Sequence, residues 1–214
     1  MKKLLYILWV ALWFGCTPKK GSEPIELPFY SEETFSAEWI DEGDPRYANI
    51  HTISDFEFVN QEGEKVTNET FDGKVYVANF FFTLCPTVCP KMEANLSLVQ
   101  EEFKGNDQVK ILSHTVMPWA DSVDRLKEYA IQNEINSDQW HLVTGEQEEL
   151  YKMGRLAYFA DEGFGKGVTE LDDFLHTENI VLVDQKRRIR GIYNGTLKLE
   201  MQRMMEDIRY LLGE

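Results

Sequence analysis

A chain of 214 residues with 37 acidic against 22 basic side chains carries a formal net charge of −15, and a phosphate backbone would be repelled over much of its surface, so nucleic acid is excluded as a partner. The acid excess fits a partner with a basic surface, or simply solubility. The length suffices for one domain with a full core, and no internal repeat divides it.

Lys2-Lys3 precede eleven apolar residues, 4–14, and then Gly15-Cys16 and a polar stretch, 17–22. That layout is a secretory signal, too short for the roughly 20 residues of a membrane-spanning helix. A small residue directly before the first cysteine resembles a bacterial lipoprotein signal, in which Cys16 becomes the lipidated N-terminus and anchors the chain to an envelope membrane, facing the periplasm or the outside. The three cysteines then divide into one anchor and one pair, Cys85 and Cys89, in a compartment where a dithiol can be oxidised. The expected organisation is a signal over 1–16, a tether and irregular lead-in over 17–45, and one domain over 46–214.

Residues 56–59 and 65–67 flank Asn60-Gln61-Glu62-Gly63-Glu64 and read as a hairpin. Residues 75–82 are almost continuously apolar, as expected of a central strand covered on both faces. Cys85-Pro86-Thr87-Val88-Cys89-Pro90 follows, and Met92, Leu96, Val99 and Phe103 give the next segment one helical stripe, with Pro90 in its first turn. Residues 109–116 form a second strand, and Asp121 or Ser122 caps a helix bearing Val123, Leu126, Tyr129 and Ala130. A short strand over 140–143 leads to a helix from Glu146 to about Met153, and the stretch 154–175, rich in glycine and acids, reads as a long inserted loop. Residues 179–184 and 190–193 make an antiparallel hairpin around Lys186-Arg187-Arg188, taken as a solvated basic turn. A last helix carries Leu197, Met201, Met204, Ile208 and Leu211. This order is that of an α/β thioredoxin-like fold, a mixed sheet flanked by helices.

Thiols at a strand-to-helix junction are chemically useful, because unpaired amides and the helix dipole stabilise a thiolate, which both attacks disulfides and binds soft metals. Spacing of four favours a metal over the tighter C-x-x-C redox arrangement without deciding it. His176, just before the strand at Asn179, is the residue to pair with the cysteines. Two thiolates and an imidazole suit copper in either oxidation state, whereas a structural zinc site would more often demand a fourth strong ligand. His114 and Met117, at a strand end, are candidates for an auxiliary ligand role. His51 and His141 read as structural, and Met201, Met204 and Met205 read as core packing.

The stretch from Phe56 to Leu212 resembles the SCO/SenC family of thioredoxin-like copper-binding proteins. The resemblance rests on Gly73-Lys74-Val75, the Cys85 to Pro90 motif, residues 140–145, His176-Thr177 and Leu182-Val183-Asp184. It implies a copper chaperone holding one copper ion on Cys85, Cys89 and His176, which delivers it to an apo-acceptor, a cytochrome c oxidase subunit whose binuclear copper site is being assembled. It also allows a thiol-disulfide reductase in which Cys85 attacks and Cys89 resolves, with a disulfide-bearing exchange partner. A disulfide serving only as a staple is the third reading, weakened because so short a loop yields little entropic stabilisation. The chain departs from the family's Asp-Pro-x-x-Asp stretch: Met117-Pro118-Trp119-Ala120-Asp121 retains only the second acid.

Overall fold

The computed structural model of the chain describes residues 26–160 and 177–213. Among these residues seven strands form one mixed sheet: β1 (Glu57–Asn60), β2 (Lys65–Thr67), β3 (Val75–Phe81), β4 (Val109–Thr115), β5 (Trp140–Thr144), β6 (Asn179–Val183) and β7 (Ile189–Asn194), in the spatial order β2-β1-β5-β4-β3-β6-β7. Strands β3, β4 and β5 are parallel, and β6 returns antiparallel against β3. The expected central strand is therefore central: every residue of β3 is buried, as its unbroken apolar run requires.

Among the described residues four α-helices cover the sheet: α1 (Cys89–Glu102), α2 (Val123–Gln132), α3 (Gln147–Lys152) and α4 (Lys198–Leu212). The apolar stripe Met92, Leu96 and Val99 of α1 packs with Leu126 of α2 and with Met201, Met204 and Ile208 of α4 on one face of β3 and β4. These methionines are core, as their helical spacing implies. The other face carries Phe58, Tyr76, Phe80, Leu112, Tyr151 and Tyr158. Leu197, expected in the core, is instead more than half exposed, because it stands ahead of the first turn of α4 as its cap residue.

Two expectations give way to packing. The inserted loop does not begin at Gly154: a π-helical turn, Met153–Ala157, continues α3, and buried Ala157, Tyr158 and Ala160 join the second core, with Tyr158 Oη 3.2 Å from Tyr76 Oη. The rest of the expected loop and His176 lie outside the described residues, as do Cys16 and the expected signal. The basic turn is solvated only at its tip, where Lys186 is exposed. Arg190 and Asp184 are both buried and ion-paired at 3.3 Å, and Arg188 reaches the same carboxylate at 2.8 Å.

What covers the basic turn is the lead-in. Phe29, Ile40 and Ile50 form a small satellite core, a bridge joins Phe29 to Glu38, and a 3-10 helix, Pro45–Asn49, follows. The Arg190 guanidinium lies 4.1 Å from the centre of the Phe29 ring and donates to the carbonyls of Leu27 and Pro28.

Candidate functional site

Strand β3 ends at Phe81, and the chain turns at once, the Cys85 amide donating to the Phe82 carbonyl at 3.2 Å. Cys89 is the first residue of α1, with Pro90 second, where its missing N–H costs nothing. Cys85 thus precedes the helix, and the turn, not helical spacing, brings it to Cys89. The two sulfur-bearing residues still meet, for the Cys89 amide donates to Cys85 Sγ at 3.4 Å. No side chain caps α1, so the Cys85 sulfur takes the place a serine or aspartate would fill.

The two thiols differ in electrostatic setting. Partial burial works to raise the pKa of Cys85, but the amides of Cys89, Thr87 and Val88 outweigh it and leave the thiol below its ordinary value. Burial pushes Cys89 up to about 12, despite a backbone hydrogen bond that opposes it. Cys85 is half-exposed and Cys89 is 6% exposed against Phe81 and Met92, and both are free thiols. The outer thiol is therefore the easier of the two to ionise. Brief treatment with iodoacetamide at pH 8 should label Cys85 at least tenfold faster than Cys89, as read by peptide mass spectrometry; equal labelling would contradict the difference in environment.

The β3–β6 register sets Ala78 opposite Val181, so the start of β6 lies where β3 hands over to the cysteine loop. Thr177, the described residue next to His176 in sequence, is buried at that edge, its Oγ1 accepting from the Asn179 amide at 3.1 Å. Among the described residues no three His, Cys, Asp or Glu side chains converge as a metal-binding group. The auxiliary candidates are not brought to the thiols. His114 lies on the opposite face of the sheet from Cys89, stacked on Phe80 with ring centres 5.0 Å apart, and Met117 packs into that same core. His51 is held by the Ala157 carbonyl at 2.8 Å, and His141 is buried beside Phe71.

From the sequence, Asp121 reads as a possible helix cap. The cap is Ser122, whose Oγ accepts from the Arg125 amide, while Asp121 is fully buried and bonded to Thr83 and Thr115. The only signal for it is its survival as the second acid of the Met117 to Asp121 stretch.

The SCO1/SenC family model matches residues 45–213, a span that contains both thiols and all seven strands. The chain belongs to the SCO1/SenC family. The SCO1 protein homolog of Bacillus subtilis is 29% identical over 163 residues, covering 74% of this chain and 82% of that protein. BsSco, described as a member of the Sco family of cytochrome c oxidase assembly proteins and studied for a disulfide switch, superposes with a TM-score of 0.64 at 28% identity, covering 75% of this chain and 93% of its own. ScoI of Arabidopsis thaliana, solved with copper bound, shares the fold with a TM-score of 0.57 at 22% identity, covering 73% of this chain and 98% of its own. The SCO1/SenC membership and the seven-strand sheet agree with the thioredoxin-like architecture read from the sequence. Among the described residues of this SCO1/SenC chain, no helix is long and apolar enough to cross a membrane.

Proposed function

We propose that the chain is an envelope copper carrier, anchored through lipidated Cys16, that holds one copper ion on Cys85, Cys89 and His176 and passes it to an apo-acceptor in cytochrome c oxidase assembly. The observation that carries the reading is the thiol pair itself: Cys85 Sγ within 3.4 Å of the Cys89 amide, at the N-terminus of α1. Two sulfur donors in a half-buried setting form a soft site that favours Cu(I), and an added imidazole helps hold Cu(II). Support from relatives lies in the copper of the Arabidopsis ScoI structure and in the oxidase-assembly family to which BsSco is assigned. Copper, as cargo, is bound by displacing the thiol protons, so the protein must be reduced to load. Release follows by ligand exchange when an acceptor's donors replace Cys85 first, since it is the more exposed sulfur.

Titrating the reduced full-length chain with copper tests this. One equivalent should bind tightly, Cys85→Ser should abolish tight binding, and His176→Ala should weaken it at least tenfold, about 1.4 kcal/mol. Unchanged affinity on His176→Ala would remove the imidazole from the site.

The split between the two thiols favours a second reading, a thiol-disulfide reductase. The Cys85 thiolate attacks a partner disulfide, forming a mixed disulfide and expelling one partner thiolate, which takes up a proton. Cys89 then gives up its proton and attacks the Cys85 sulfur, expelling the second partner thiolate. The partner gains two electrons and this chain ends as the Cys85–Cys89 disulfide. Absence of turnover in an insulin reduction assay, with Cys85→Ser as the control, would count against it.

A further inference from the structure

We propose that Asp121 is a positioning residue for Cys85, its buried carboxylate clamping the turn that presents the thiol to the loop that follows β4; the inference deepens the site on which the copper reading rests. Asp121 accepts from Thr83 Oγ1 at 2.6 Å, from the Thr83 amide at 3.3 Å and from Thr115 Oγ1 at 2.5 Å. Thr83 lies inside the turn closed by the Cys85 amide on the Phe82 carbonyl. From within that turn the Thr83 side chain reaches across to Asp121 and to Arg125 of α2. Arg125 Nε completes the knot by donating to Thr83 Oγ1 at 3.0 Å. The carboxylate is itself fixed, because its own amide and that of Ala120 both donate to the Met117 carbonyl at 2.9 Å.

The clamp matters because the contact it protects depends on where the turn holds Cys85. The Cys89 amide reaches the Cys85 sulfur at 3.4 Å, an ordinary N–H···S distance, and a drift of the turn away from α1 would lengthen and weaken it. A buried carboxylate with no directly paired cation is costly to keep, and here it is satisfied by three hydroxyl and amide donors, two from Thr83 in the cysteine turn and one from Thr115 at the end of β4. The Asp121→Asn substitution would keep the geometry: the amide oxygen accepts from Thr83, and the amide nitrogen donates to Thr115 once that hydroxyl rotates. Alanine would not.

The test compares reduced full-length wild type, Asp121→Ala, Asp121→Asn and Thr83→Val, with folding checked by circular dichroism. The rate of Cys85 alkylation by iodoacetamide is followed against pH by peptide mass spectrometry, and copper affinity is measured alongside. Asp121→Ala should slow Cys85 alkylation at pH 7.5 at least fivefold, move its pH profile upward and weaken copper binding at least tenfold. Asp121→Asn should restore both to within about threefold. A wild-type alkylation profile in Asp121→Ala overturns the proposal, and so does an asparagine variant as defective as alanine, which would make charge and not position the cause. Should Asp121→Ala fail to fold, Thr83→Val carries the test, with alkylation at least twofold slower expected and an unchanged rate overturning the clamp. The alkylation arm needs no metal, so a wild-type chain that took up no copper would sink the carrier reading and leave this one to be judged separately.

Discussion

Replacing Arg190 with alanine is expected to cost about 3 kcal/mol of stability and to loosen residues 26–50 from the domain. The guanidinium is 8% exposed and carries three separate duties. It pairs with the Asp184 carboxylate, it donates to the Leu27 and Pro28 carbonyls, and it lies over the Phe29 ring. Truncation leaves the Leu27 and Pro28 carbonyls without their donor, though Arg188 still neutralises Asp184 and still lies 4.7 Å from the centre of the Phe29 ring, which keeps the loss toward the lower end of that seen for broken buried pairs. For a domain of this size the melting temperature should fall by roughly 6–12 °C. Amide exchange should rise at Tyr30 and Ile53, whose amides bond to the carbonyls of Ile189 and Arg187 on the same hairpin. A melting temperature within a degree of wild type, with unchanged exchange at those two amides, would show that the lead-in is held by its satellite core alone.

The contrast between what could and could not be read from the chain follows from how far apart the partners lie. Strand β3 and helix α1 were legible because their patterns are local: a continuous apolar run, and a stripe recurring at helical spacing. The cysteine motif was legible for the same reason. The role of Arg190 was not, since its partners Leu27 and Phe29 come more than 160 residues earlier and a run of basic side chains ordinarily faces water. Nor was that of Asp121, whose bond to Thr83 spans 38 residues, while its place ahead of a helix offers the simpler explanation of a cap. The π-helical turn after α3 escaped because Gly154 interrupts the apolar pattern, although Met153, Ala157 and Tyr158 pack into one core. Of the three expected ligands, the two near in sequence are placed together by one turn, whereas the third, His176, lies outside the described residues. Thr177 and the β3–β6 register are the parts of the structure that bear on it.

Acid should unfold the protein through its buried neutral histidines, and replacing His114 with leucine should flatten that response. His114 is fully buried between Phe56, Phe58, Phe80 and Tyr158, and neither ring nitrogen makes a hydrogen bond of good geometry among the described residues. Burial therefore lowers its pKa from 6.5 to about 3, against a smaller opposing pull from the Asn79 backbone, and burial also lowers that of His141 to about 4. Below pH 6.5 the unfolded chain binds protons that the native state refuses, so stability is present above that value and falls as pH drops toward the folded pKa. Each histidine contributes a slope of about 1.4 kcal/mol per pH unit in its window, and His114 alone gives about 5 kcal/mol between pH 6.5 and 3. Glu93 and Asp207, whose carboxyls burial holds above their usual range, act in the opposite sense just above their ordinary values, so the difference between variant and wild type is the quantity to read. Urea unfolding at pH 7 and at pH 5 should show wild type losing about 2 kcal/mol more than His114→Leu over that interval. The apolar replacement also removes two unsatisfied nitrogens from the core, so it should cost little at pH 7. Parallel losses in the two proteins would mean that water or a local opening reaches His114, and the source of acid sensitivity would then lie with His141 and the paired carboxylates.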